Sequence, residues 1–115
     1  MKVIIAGSRH VCNPVFVAQA VERSRFDISE VVSGGCRGID RMGEKWASQN
    51  KIPATLFKAA WDELGKKAGL IRNQQMAEYA DALIAIWDGF SSGTANMIAN
   101  ACKYGLKIYV YKIGE

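Results

Sequence analysis

Cysteine, histidine and proline are scarce in this 115-residue chain, with three, one and two residues. Cys12, Cys36 and Cys102 include no Cys-x-x-Cys pair, and any disulfide scheme leaves one of them over. With a single histidine, no zinc site can be assembled from Cys and His spacing. Reduced thiols are the expected state, and a cytoplasmic location is the reading that fits them. Long apolar runs are also missing. Val3-Ile4-Ile5-Ala6 after Lys2 is too short for a signal-peptide core or a membrane span, so no membrane partner is expected. Neither G-x-G-x-x-G nor a Walker A loop occurs. Repeats, low-complexity segments and linker-like stretches are absent, so residues 1–115 are expected to form one domain.

Charge of one sign is only mildly in excess, with 15 Lys/Arg against 11 Asp/Glu and a net charge of +4. Residues 1–58 hold 9 basic against 5 acidic side chains, and residues 59–115 hold 6 against 6. That bias suits an anionic ligand and is too small to establish nucleic-acid binding by itself.

What the chain does have is a series of glycine-bearing loops behind apolar runs. Val31-Val32-Ser33 leads into Gly34-Gly35-Cys36-Arg37-Gly38, and a helix follows with Ile39, Met42, Gly43, Trp46 and Ala47 on one face. Residues 2–6 read as a first, fully buried strand that ends in Gly7-Ser8-Arg9-His10. Asn13-Pro14 reads as an N-cap and first helical residue, with the helix running to about Ser24. Ala54 to Phe57 is the third strand. Lys58 through Gly69 reads as a long structureless connection, of the kind that tends to be functional. A helix follows to about Tyr79, then a strand over Ala82 to Trp87. Asp88 to Thr94 is a third Gly/Ser loop. It precedes a helix whose inner face is Thr94, Met97, Ile98, Ala101 and Cys102. Gly105 is placed as the glycine that ends that helix, and Lys107 to Tyr111 is the last strand.

Strands alternating with helices imply an α/β fold, a single Rossmann-like three-layer α/β/α domain with about five parallel strands. In such a sheet every strand-to-helix loop lies on one edge, and ligands bind there where strand order reverses. Gly7–His10, Gly34–Asp40, Trp61–Asn73 and Asp88–Thr94 should therefore meet in space. The ligand-binding candidates are Gly7, Ser8, Arg9, Gly34, Gly35, Arg37, Gly38, Asp40, Trp61, Lys66, Arg72, Asn73, Asp88, Ser92, Gly93 and Thr94. Glycines admit close approach to backbone N–H groups, and the first turn of a helix favours an anion. Arg9 and Arg37 are read as phosphate contacts, as is one of Lys66 and Lys67. Two readings stay open for several others. Arg72 is an anion ligand or an ion-pair partner of Asp40 or Asp88. Asp40 caps its helix or holds a ribose hydroxyl, and Asp88 binds ligand or merely shapes a turn. Trp61 stacks on a base or plugs the core. Cys36 with His10 as its base lacks an orienting third residue, and Cys36 is read as a small side chain.

Taken together, Gly7-Ser8-Arg9, Ser33 to Asp40, Arg72-Asn73 and Ser92-Gly93-Thr94 resemble the SLOG superfamily. With Trp61-Asp62, Gly65 to Gly69, Ile71 to Met76 and Trp87 to Thr94, the pattern is most similar to the small YspA/cpYpsA-related SLOG proteins. The resemblance implies binding or sensing of a nucleotide or nucleotide-derived ligand, with no cofactor. Dimerisation through helices is common in related folds, so a homo-oligomer is a further expectation. Similarity to the Lonely Guy phosphoribohydrolases implies an alternative, hydrolysis of a nucleotide N-glycosidic bond by Arg72 with Asp40 or Asp88. The Glu of that signature is replaced here by Met97, which can neither transfer a proton nor stabilise an oxocarbenium ion. Similarity to the Rossmann domain of DNA-processing protein A implies single-stranded DNA as another candidate ligand.

Overall fold

The computed structural model describes residues 1–65 and 67–113, and Lys66 therefore lies outside the described residues. Five strands form one parallel sheet: β1 (Lys2–Gly7), β2 (Glu30–Ser33), β3 (Ala54–Leu56), β4 (Ala82–Trp87) and β5 (Lys107–Lys112). Their order across the sheet is β3-β2-β1-β4-β5. The helices are α1 (Pro14–Ser24), α2 (Ile39–Gln49), α3 (Trp61–Leu64), α4 (Lys67–Tyr79) and α5 (Ser92–Lys103). This is the α/β class and Rossmann-like layering expected from the alternation of apolar runs and amphipathic segments.

The sheet is buried on both faces because β1 and β4 are apolar at every inner position. Ile5, Ile84 and Ile86 pack with Val17 and Ala20 of α1 and Ile39 and Ala47 of α2. Ile4, Leu83 and Ala85 pack on the other face with Met76 of α4 and Met97 and Ala101 of α5. Asn13 caps α1 by accepting from the Val15 N–H at 3.0 Å, ahead of Pro14 at the first helical position.

The connection after β3 differs from the expected structureless stretch. It contains α3, and α4 already begins at Lys67. The local cause is visible: Ala60 O accepts from both the Glu63 and Leu64 N–H groups, which closes a short turn behind Trp61. Cys102 is also displaced from its expected inner face and is exposed, whereas Thr94, Met97 and Ala101 are buried.

The chain crosses outward from β1 to β2 and β3, then returns past β1 to place β4 on its other side. Strand order thus reverses between β1 and β4. Gly7 pairs with Ile86 at their carboxyl ends, and the Ser8 N–H donates to Ile86 O at 3.2 Å. Whatever follows β1, β2 and β4 is delivered to this rim.

Candidate functional site

A narrow crevice of about 50 Å³ opens at the switch point, with Gly7, Gly34, Asp40, Arg72, Asn73 and Thr94 among its walls. Two wider cavities adjoin it. One, about 510 Å³, lies at the start of α5 and is lined by Ser8, Arg9, Trp61, Asn73, Asp88 and Gly93 among others. The other, about 560 Å³, lies beside the start of α2 and carries Arg9, Arg37, Arg41, Lys58 and Arg72. The loops that are distant in sequence do meet along one rim.

The glycines there serve different ends. A methyl group on Gly38, whose φ is +75°, would stand 2.5 Å from Ser8 O and 2.6 Å from Arg9 O. One on Gly34 would meet the Arg72 guanidinium and an Asp40 carboxylate oxygen at 3.0 Å, and one on Gly7 would strike Ile86 O. These glycines let the protein's own loops close on one another. Gly93, near the start of α5, has nothing within 4 Å of such a group and faces open space.

The amino-terminal ends of α2 and α5 also contrast. Ahead of α2 the loop donors and the first helical N–H are engaged, while the Asp40 and Arg41 N–H groups precede the first helical bond, from the Met42 N–H to Gly38 O at 3.1 Å. The Gly35 N–H donates to Ser33 Oγ at 3.1 Å, the Cys36 N–H to Asp40 Oδ2 at 3.2 Å and the Ile39 N–H to Ser8 O at 3.3 Å. Asp40 is the resident anion of that turn. It stands in the second helical position, and Gly38 takes the cap position, so Asp40 is not the N-cap. At α5 no acidic residue lies in the first turn and the Ser91 side chain makes no capping bond. The first helical bond there is from the Ala95 N–H to Ser91 O at 3.1 Å, which leaves the Ser92, Gly93 and Thr94 N–H groups without helical partners. The start of α5 thus opens onto the cavity with its first donors free of helical bonds.

Side chains shape the surroundings of that helix start. Asp88 Oδ1 accepts from the Phe90 and Ser91 N–H groups, both at 2.8 Å, so it is a turn aspartate. Those two bonds hold its carboxyl below the usual range. The turn thrusts Phe90 outward, 91% exposed, at the rim of the α5 cavity. Asn73 donates to Gly93 O at 3.3 Å and to Asn96 Oδ1 at 2.9 Å, tying α4 to α5. Ser8 is only 1% exposed and lines the same cavity; its hydroxyl makes no hydrogen bond of normal geometry, although it lies close enough to the Asp88 carboxylate to help lower it. A buried hydroxyl left this way costs about 1–3 kcal/mol unless something else satisfies it.

Trp61 does not plug the core. It is 49% exposed, stands against Gly69 and lines both wide cavities. Arg72 is buried, and its Nη1 donates to Gly34 O at 2.9 Å and to Cys36 Sγ at 3.5 Å. Its positive charge acts on Asp40, which favours the pairing role over that of a free anion ligand. Arg37 is exposed and borders the cation-lined cavity. Arg41 and Lys58 join it there and were not among the expected residues. Arg41 lies in the first turn of the helix behind the loop, and Lys58 lies just past the carboxyl end of β3. Both were placeable on this rim from the element order.

Burial raises the Asp40 carboxyl from 3.8 to about 6, against the pull of the Cys36 N–H and the Arg72 charge. Because the folded state holds this proton more tightly, Asp40 favours folding below pH 3.8, and that contribution is lost as pH rises through 6. The stability of the wild type relative to Asp40→Asn should fall by about 2 kcal/mol between pH 4 and pH 7. Urea unfolding of both proteins across that range measures it. A constant difference would contradict the shift.

Residues 1–63 match the profile of the YspA, cpYpsA-related SLOG family. The chain is 33% identical over 117 residues to the gene 61 protein of Mycobacterium phage D29, with 93% of each chain covered. Its fold matches the X-ray structure of DNA processing protein A from Streptococcus pneumoniae with a TM-score of 0.77 at 18% identity. The match covers 95% of this chain and 49% of that one, so this chain spans about half of that structure.

Proposed function

The chain belongs to the YspA, cpYpsA-related SLOG family, and from that premise we propose that it binds a nucleotide or nucleotide-derived ligand at the rim between β1 and β4. A phosphate group rests on the Ser92, Gly93 and Thr94 N–H groups and accepts from Ser8 Oγ and Arg9. The base or sugar lies toward Trp61 and Phe90. The observation that carries this reading is the uncapped start of α5 with the buried Ser8 hydroxyl beside it, which makes no hydrogen bond of normal geometry and has only the turn carboxylate of Asp88 near it. Two independent features ask for the same acceptor. A phosphate oxygen supplies it, and the helix dipole adds to the attraction.

Calorimetric titration with nucleoside monophosphates, and with the matching nucleosides, tests the reading. Monophosphates should bind and nucleosides should bind at least about tenfold more weakly, since charge-assisted hydrogen bonds contribute about 1.5–3 kcal/mol each. Absence of binding at millimolar ligand would defeat it.

One observation favours a second reading, hydrolysis of the N-glycosidic bond. Asp40 borders the crevice with a carboxyl poised near pH 6, suited to proton transfer near neutrality. Against it, Met97 is buried at the crevice floor where the related enzymes carry Glu. Chromatography of the same mixtures decides between them. Release of free base that disappears in Asp40→Asn supports hydrolysis, and intact nucleotide at high protein concentration excludes it.

A further inference from the structure

The cation-lined cavity is left unused by a ligand with one phosphate at α5. Among the described residues no acidic one lines it and five basic ones do: Arg9, Arg37, Arg41 and Lys58, with Arg72, whose charge Asp40 already answers, at its inner edge. The whole chain carries a net charge of only +4, so this concavity concentrates far more positive charge than the average surface. Such a grouping raises the local potential and is relieved by an anion held inside it. The cavity is set apart from the α5 seat by residues that border both, namely Arg9, Trp61 and Arg72. Trp61 is half exposed on this divide, with Gly69 behind it.

We infer that the cavity is a second anion subsite, and that the ligand carries phosphate on two different oxygens of one nucleoside, one on each side of Trp61. This rests on the nucleotide reading above. A phosphate chain growing from a single oxygen keeps its charge at one end of the sugar. Two seats separated by an aromatic divide match charge at both ends, with the base or sugar against the indole. The chemical class is a nucleoside 3′,5′-bisphosphate, or an internal nucleotide of a single strand, which presents the same two phosphates.

The test is calorimetry on the full chain with 5′-monophosphates, 5′-diphosphates and 3′,5′-bisphosphates of all four bases, and with single-stranded tetranucleotides. Each is titrated into the wild type and into Arg41→Ala/Lys58→Ala. Both substituted side chains are exposed, so the variant should keep its melting temperature. The 3′,5′-bisphosphate is expected to bind about tenfold or more tighter than the 5′-diphosphate, and the variant should erase that advantage. A tetranucleotide that matches the bisphosphate and loses the same affinity assigns the site to a strand. A weaker tetranucleotide assigns it to the free small molecule. A bisphosphate no tighter than the 5′-diphosphate, or an advantage that survives in the variant, overturns the inference while leaving monophosphate binding standing. Failure of every compound to bind removes both readings together.

Discussion

Gly93→Val is expected to weaken nucleotide binding by about a hundredfold or more while leaving the melting temperature unchanged or slightly raised. The open space beside Gly93 is where the phosphate is proposed to rest, and no described residue comes within 4 Å of a side chain begun there. A side chain there strains no contact, and valine suits a helix better than glycine by a few tenths of a kcal/mol. What it removes is the approach of an anion to neighbouring N–H groups, where each lost charge-assisted bond costs about 1.5–3 kcal/mol. Gly38→Ala should do the opposite. At φ +75° and 2.5 Å from Ser8 O, its new methyl group forces apart the loops after β1 and β2. A loss of about 3 kcal/mol of stability is expected, from left-handed backbone and overpacking combined. Thermal melts and calorimetry on the two variants separate the roles. Equal loss of stability in both would contradict this sorting of the glycines.

Arg72→Met is expected to destabilise the protein by about 2–4 kcal/mol and to weaken binding as well. The guanidinium is buried, donates to Gly34 O, and its charge favours the ionised form of Asp40. Methionine fills similar volume and replaces none of this. Gly34 O loses its side-chain donor, and the Asp40 carboxyl is pushed further above its present value. The loop that shapes the crevice then loosens. Arg72→Lys should recover only part of the stability, because a single ammonium cannot reach both Gly34 O and the Asn73 side chain as the guanidinium fork does. Urea midpoints at pH 7 measure the series. A Met variant as stable as the wild type would show that Arg72 is a surface charge in effect.

Much of the architecture was legible in the residues because parallel strands leave a coarse signal. Val3-Ile4-Ile5 and Ala82 to Ile86 are apolar at every position, as strands of a sheet covered on both sides are. Once that sheet is granted, its connectivity brings Ser8, Gly34, Arg72 and Thr94 to one edge. The roles along that edge were less legible. The loop from Gly34 to Gly38 has the composition of a phosphate cradle. Its donors are turned inward onto Ser33 Oγ and the Asp40 carboxylate, and no spacing rule separates a resident carboxylate from a bound one. The α3 turn escaped notice because four residues carry no periodicity. Arg41 and Lys58 could be placed on the rim from the element order, but charge counts along a chain do not show which cations share a concavity.

The central claim, that the free start of α5 and not the internally bonded Gly34–Gly38 loop receives the phosphate, is tested most directly by amide chemical shifts. A nucleoside monophosphate titrated into ¹⁵N-labelled protein should move the Ser92, Gly93 and Thr94 amide signals most. The Gly35 and Cys36 amides, already bonded to Ser33 and Asp40, should move little. Large shifts at Gly35 and Cys36 with Gly93 unmoved would contradict the account.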